Sequence, residues 1–431
     1  MPAILPSLTR RQLLAAAPLG LRGLGLGAGM LGLSPRTAHA LDGSGQKYVF
    51  VVNYGGWDPT RVFAAEFANP FVDMERNAGL ASIGDLSFVD HDNRPAVRAF
   101  FETWGSRSLI FNGVLVQSIA HENCLRIMMT GSTAADRSDW GAILGGVQAP
   151  SFALPQVVIG GPSFPGEFGT FVTRTGTGGQ LQSLLDGTLL DWSDVPVDTP
   201  DLRVQSRIDR YVAARIEAEL GRTASGGNTS AMLDAMARGH SRAMDLEELA
   251  QIVDWGDVAS FSGQAGLAAE LLSRGISRVA TLGFSGQGWD THADNDTIQS
   301  ANFQALFSGL TGLMDTLKSL PGETTESLVD ETVVVVVSEM GRTPQLNSTD
   351  GKDHWPYTST LVVGPGIAGG RVIGGYDSYY YGLPIDPQSG DTSESGVLLT
   401  SEVVGATLLA AADVDPEEFT PGVAAIEAAI G

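Results

Sequence analysis

The run Glu331-Thr332-Val333-Val334-Val335-Val336-Val337-Ser338 decides the fold class. Its five consecutive valines show neither the three-and-four spacing of an amphipathic helix nor the alternation of a strand with one wet face. β-Branched side chains also favour extended backbone, so the run reads as a strand buried on both faces, the kind that parallel sheets covered by helices contain. Five further runs share this character: Lys47–Tyr54, Ser108–Gly113, Gln156–Gly160, Arg278–Phe284 and Ser359–Gly364. Between them, Arg94–Trp104, Cys124–Met129 and Ser300–Leu320 space their apolar residues by three and four, and a last helix is expected near Val397–Ala411. This alternation predicts an α/β sandwich, a mainly parallel sheet with helices on both faces. From about 199 to 275 the strand signal vanishes and helical periodicity replaces it. That stretch reads as a helical insertion in one large domain spanning 41–431. The Tyr, Gly, Asp and Ser-rich segment Gly375–Ser395 reads as a long surface loop.

Composition narrows the function classes. The 431 residues are 43% hydrophobic and 17% charged, enough apolar material for a sizeable core, which excludes wholesale disorder. A single cysteine, Cys124, excludes a disulfide scaffold and cysteine-based zinc fingers. A net charge of −23 without any Lys/Arg cluster argues against nucleic acid as a partner. At the N-terminus, Leu8-Thr9-Arg10-Arg11-Gln12-Leu13-Leu14, a Gly-rich apolar stretch and Ala38-His39-Ala40 form a twin-arginine export signal at residues 1–40. Read instead as a membrane anchor, the stretch is weakly hydrophobic and interrupted by Arg22. Cleavage after Ala40 leaves no stable membrane anchor and removes Arg10, Arg11, Arg22 and Arg36, so the rest is more acidic still. The expected location is the periplasm or the exterior, with the twin-arginine export machinery as a partner. Because that route carries folded proteins, it motivates a search for a metal or cofactor site.

Five histidines follow the signal: His91, His121, His240, His292 and His354. Asp58 ends Asn53-Tyr54-Gly55-Gly56-Trp57-Asp58, just past the first strand-like run, where α/β sheets present ligands; it also reads as a turn aspartate capping the next element. Asp290 and His292 lie in Gly288-Trp289-Asp290-Thr291-His292, two residues apart in an extended segment, a spacing that suits a metal, with a helix cap as the alternative. Glu339 emerges from the valine run and, once buried, must be paired, protonated or bound to a cation; Arg342 could be its partner. His354, in Lys352-Asp353-His354-Trp355, reads as a ligand supported by a neighbouring carboxylate or as a packed loop residue. His121, after the Ser108–Gly113 run, reads as a nucleophile, an acid/base, a ligand or a helix cap. Cys124 reads as a small buried hydrophobe, Asp90-His91-Asp92 as a capping segment, and His240 as structural. Asp58, Asp290 with His292, and Glu339 each follow a different strand-like run. One parallel sheet would bring them to a single edge, which predicts a divalent metal site for Zn, Mn, Fe or Ca.

Gly288-Trp289-Asp290-Thr291-His292, Ser338-Glu339-Met340-Gly341-Arg342-Thr343-Pro344 and Lys352-Asp353-His354-Trp355 together resemble a family of twin-arginine-exported bacterial proteins of unknown function. That family is a branch of the alkaline phosphatase-like superfamily, which includes sulfatases and phosphopentomutases. The resemblance covers most of the chain from Val49 to Gly374 and implies a three-layer alkaline phosphatase-like sandwich. It places Asp58, Asp290, His292, Glu339 and His354 at metal-binding positions and His121 where the superfamily carries a Ser, Thr or modified Cys nucleophile. Met340 stands where the motif has a histidine, so one ligand of a two-metal set has no counterpart. The implied function is metal-dependent hydrolysis of a phosphate or sulfate ester, with His121 attacking or acting as base and Arg342 holding the anionic group. The alternative is a non-catalytic exported binding or structural protein that retains the fold.

Overall fold

The computed structural model describes residues 45–176, 180–181, 202–222, 232–233, 236–237, 240, 253, 255 and 258–431. The expected export signal lies outside the described residues, as does most of the expected insertion. In chain order the strands are β1 (Lys47–Asn53), β2 (Gly79–Ile83), β3 (Leu86–Asp90), β4 (Ser108–Leu115), β5 (Gln156–Val158), β6 (Val172–Arg174), β7 (Val279–Phe284), β8 (Thr332–Ser338), β9 (Gly341–Arg342), β10 (His354–Trp355), β11 (Tyr357–Val363) and β12 (Arg371–Gly374). The helices are α1 (Pro95–Trp104), α2 (His121–Thr130), α3 (Trp140–Gly146), α4 (Leu202–Arg222), α5 (Phe261–Ser273), α6 (Asn295–Ser319) and α7 (Ser401–Ala411), with shorter turns between them.

The valine run is β8, near the middle of an eight-stranded sheet with strand order β12-β4-β11-β8-β1-β7-β5-β6. All of these strands run parallel except β11, which lies antiparallel to both β4 and β8. Its two faces show why continuous valines are needed. On one, Tyr48, Phe50 and Val52 of β1 join Val333, Val335 and Val337 of β8, against Cys124, Ile127 and Met128 of α2, Trp140 of α3 and Val404 and Leu408 of α7. On the other, Val49, Val51, Val334 and Val336 meet Phe100 and Phe101 of α1, Leu267 and Leu271 of α5 and Phe303, Phe307 and Leu310 of α6. Removing a fully buried side chain from either layer, as in Leu310→Ala, costs about 2–5 kcal/mol. The result is a three-layer α/β sandwich, as the alternation of strands and helices predicts. α5 closes the stretch expected as an insertion, and it packs into this sandwich beside α6. In the Gly375–Ser395 segment, Tyr376 and Tyr380 are buried and stacked 4.1 Å apart, so part of the expected surface loop is core.

The sheet sets up one edge. Asn53 of β1 sits level with Phe284 of β7 and Ser338 of β8, so three adjacent parallel strands end together. The turn after β1 needs its glycines: Gly55 has φ +120° and a Cβ there would lie 2.9 Å from the Asp290 backbone nitrogen, while one on Gly56 would lie 2.8 Å from Met340. The antiparallel pairing of β9 with β10 then folds the chain after β8 back over this edge, placing Arg342 opposite His354.

Candidate metal centre

Four side chains from three connections converge at this edge. His121 stands at the first turn of α2, Asp290 and His292 follow β7, and His354 begins β10. The Asp290 Oδ1 atom lies 3.1 Å from His292 Nε2 and 3.1 Å from His354 Nε2, and its Oδ2 lies 3.4 Å from His121 Nε2. The two Nε2 atoms of His292 and His354 are themselves 3.1 Å apart. The ligand atoms of His121, Asp290 and His354 all fall within 4.8 Å of one another.

The far nitrogens fix the chemistry. His121 Nδ1 is 2.8 Å from Glu339 Oε1, His292 Nδ1 is 2.9 Å from Asp353 Oδ1, and His354 Nδ1 is 2.8 Å from the Ile119 carbonyl oxygen. A carboxylate or a backbone carbonyl can only accept, so each Nδ1 carries the proton and each neutral ring turns an Nε2 lone pair inward. Three lone pairs and a carboxylate facing one point repel unless a cation or added protons lie between them. The donor separations of 3.1–3.4 Å match those around a small ion, since ligands about 2.1 Å from a tetrahedral ion lie about 3.4 Å from each other. Imidazoles held through Nδ1–H by carboxylate or carbonyl are the usual support of metal-binding histidines. His121, Asp290 and His354 therefore fit a single divalent ion, with His292 Nε2 beside them at 3.1 Å from both Asp290 and His354. The site is reachable, because Asp290 and His292 remain 46% and 49% exposed.

Residues 110–424 match the family described as "Protein of unknown function (DUF1501)". The chain belongs to that family. No curated protein matches it. Among solved structures, the DUF1501 chain is similar to a protein in the alkaline phosphatase superfamily from Vibrio parahaemolyticus, at 12% identity over 88% of this chain and 69% of that one, with a TM-score of 0.38. It is also similar to PsFucS1 sulfatase from Pseudoalteromonas sp. (10% identity, 90% and 74% covered, TM-score 0.33) and to the phosphonate monoester hydrolase of Agrobacterium radiobacter (12%, 88% and 78%, TM-score 0.30).

Asp58, Glu339 and Arg342 lie beside this cluster with other duties. Asp58 is fully buried and already saturated: Oδ1 accepts from Thr60 N at 3.0 Å and Thr60 Oγ1 at 2.6 Å, and Oδ2 takes Asn295 Nδ2 at 2.9 Å and Lys352 Nζ at 2.9 Å. Burial alone would raise its pKa, but the charges of Lys352 and Arg61 outweigh burial and hold the carboxyl well below its usual range. Lys352 thus neutralises Asp58 from within the chain, and Asp58 caps the turn that follows it, its alternative reading. Glu339, also fully buried, accepts from Gly55 N at 2.7 Å, Gly56 N at 3.2 Å and His121 Nδ1 at 2.8 Å, so it orients an imidazole and holds the glycine turn. The expected Glu339–Arg342 pair does not form. Arg342 donates instead to the Gly56, Lys352 and Gly55 carbonyls and to Asp290 Oδ1, the last at 2.8 Å, leaving little of its donor fork for an external anion.

These contacts shape the protonation of the centre. Burial raises the Asp290 pKa, yet the hydrogen bond and charge of Arg342, with added protons on His354 and His292 when no metal is bound, bring it to about 2. The hydrogen bond to Glu339 raises the His121 pKa. His121 turns its inward nitrogen to Asp290 at 3.4 Å, the geometry of the ligand among its readings. Met340 is fully buried among apolar side chains, and burial pushes the Cys124 thiol up to about 11, so Cys124 is the buried hydrophobe expected. Beyond the Asp90-His91-Asp92 segment, Arg94 and not an acid occupies the helix cap position, while His91 Nδ1 accepts from Asn93 N. Sequence reasoning missed Lys352 as a buried cation, the Asp353–His292 bond, and Asn295 and Gln299, which hold Asp58 and Thr291. A signal for the last two existed, since they are polar residues four apart at the start of an apolar helix.

Proposed function

We propose that this DUF1501 chain is an exported metal-dependent protein of the ester-hydrolase type, working with one divalent ion held by His121, Asp290, His292 and His354. The observation that carries the reading is the convergence of three Nε2 atoms on the Asp290 carboxylate, each Nδ1 fixed by an oxygen acceptor. The imidazole-rich donor set favours Zn, Mn or Fe over Ca, which prefers oxygen ligands. Bound there, such an ion supplies a Lewis acid for a phosphate or sulfate ester oxygen. The chain's own residues prepare the place. Glu339 and Asp353 keep His121 and His292 in one tautomer, Arg342 anchors Asp290, and the half-exposed Asp290–His292 side leaves room for a substrate to approach. Export by the twin-arginine route is supported by Arg10-Arg11 and Ala38-His39-Ala40.

The test is metal content by mass spectrometry of purified protein, wild type against His354→Ala, followed by turnover of aryl phosphate and aryl sulfate esters with Zn, Mn and Fe. Stoichiometric metal in the wild type, lost in the variant, is the expected result; no bound metal in either protein sinks the reading. A second reading, a metal-binding exported protein without catalysis, is favoured by two observations. Arg342 is committed to backbone carbonyls and Asp290, and the nucleophile's position holds an imidazole that belongs to the cluster. Bound metal with no turnover of either ester would decide for it.

A further inference from the structure

We infer that Lys352 is the positioning residue of this centre: an ammonium ion built into the chain that docks the loop from Gly351 to His354 against the end of β1 and so sets Asp353 and His354 in place. The inference rests on the metal reading above. Lysine is almost never fully buried, and an ammonium taken from water requires close partners. Lys352 is fully buried, and its Nζ lies 2.9 Å from Asp58 Oδ2 and 3.1 Å from Thr60 Oγ1, an oxygen shell at the mouth of β1. Charge balances locally, Asp58 and Asp296 against Lys352 and Arg61, with Arg61 pairing to Asp296 and lying 3.6 Å from Asp58.

The backbone of the same residue faces the other way. Lys352 N donates to the Thr291 carbonyl at 3.0 Å, and its own carbonyl accepts from Arg342 Nη1 at 3.1 Å. One residue therefore clamps three parts of the site: the turn after β1 through its side chain, and the Asp290–His292 segment and Arg342 through its backbone. The next residue, Asp353, receives the Nδ1–H of His292, and the one after it, His354, presents Nε2 to Asp290. The loop has no slack here, since a Cβ on Gly351 would fall 1.9 Å from the His292 carbonyl oxygen. Removing the ammonium leaves Asp58 with Arg61 at 3.6 Å as its remaining counter-charge and releases the loop that carries His354 and the acceptor of His292.

The experiment is zinc affinity by competition titration of the full chain, wild type against Lys352→Ala, with and without propylammonium chloride, and with sodium chloride at equal ionic strength as control. The expected result is a loss of about tenfold or more in Lys352→Ala, the usual effect of removing a residue that orients metal ligands. Propylammonium should reverse it and sodium should not. Unchanged zinc affinity, or a loss that the amine fails to reverse, overturns the inference. Should Lys352→Ala not fold, the double variant Asp58→Asn, Lys352→Met, whose pocket holds no unpaired carboxylate, takes its place. A tenfold loss in that folded protein supports the positioning role, and wild-type affinity overturns it. A wild-type chain that takes up no zinc at all is a different failure, of the metal reading, and this inference falls with it.

Discussion

Asp58 and Asp290 follow adjacent parallel strands at the same edge of the sheet, yet they have opposite surroundings. Asp58 is sealed from solvent, with a lysine on one oxygen and hydroxyl and amide donors filling the rest. Asp290 is 46% exposed and faces three imidazole nitrogens that carry lone pairs. Two acids that look equivalent in sequence therefore differ in what neutralises them. One is enclosed on every side by donors of the chain, so it contributes to the fold; the other pairs with Arg342 at 2.8 Å but stays open beside three imidazoles, so it can take a further cation from outside.

The sharpest way to break this contrast is Asp58→Ala. It strands Lys352 in a buried site, while Arg61 keeps Asp296, and a loss of about 3–5 kcal/mol is expected in urea unfolding. Asp58 also has a depressed pKa, so its contribution is in place above the ordinary carboxyl value and is lost as pH falls toward the folded one; the variant should show a flatter acid limb. Asp290→Ala should do the reverse. Its fold should persist, judged by circular dichroism, while metal affinity falls by more than about a hundredfold. An Asp290→Ala chain that binds zinc as the wild type does would end the distinction.

Smaller effects sharpen the contrast. Glu339→Gln should weaken metal binding about tenfold, because the acceptor that holds His121 loses its charge. In the metal-free chain the same change should lower the His121 pKa, read by NMR titration. The sign follows from that raised value: pairing with Glu339 stabilises the metal-free fold fully below the ordinary histidine value of about 6.5 and ceases to do so as pH rises through the folded one. The wild type should thus lose this increment on the alkaline side, and Glu339→Gln should lack it. Least of all, Arg98→Ala breaks an ion pair whose arginine is half exposed, and less than about 1 kcal/mol should be lost in the same urea experiment.

Much of the sheet was legible because buried parallel strands have a composition of their own. β1, β4, β7, β8 and β11 stand out as β-branched runs, and β5 as a shorter one. β6 and β12 did not, being edge strands too short to make a run, and the β2–β3 hairpin is interrupted by Gly84 and Asp85. The reversed direction of β11 was also hidden, since orientation depends on the connection and not on the strand's residues. At the edge, the strand ends foretold that Asp58, Asp290 and Glu339 would gather. They could not show which acids arrive already neutralised. That depends on Gly55 and Gly56 N–H groups aimed at Glu339 and on Lys352 reaching back to Asp58, contacts between segments far apart in sequence.

The reversed strand has a consequence in time. Because β11 returns beside β8, the link from Glu339 to Pro356 is a local excursion that carries Glu339, Arg342, Lys352, Asp353 and His354. The contact between Gly55 and Glu339, by contrast, joins positions 284 apart. Closing long loops is entropically costlier, and non-local strand pairing slows folding. The excursion is thus expected to form early, while Asp290 and His292 arrive only when β7 and β8 close on β1. In stopped-flow refolding, zinc uptake should then follow the slowest phase, and zinc bound in the earliest one would contradict that order.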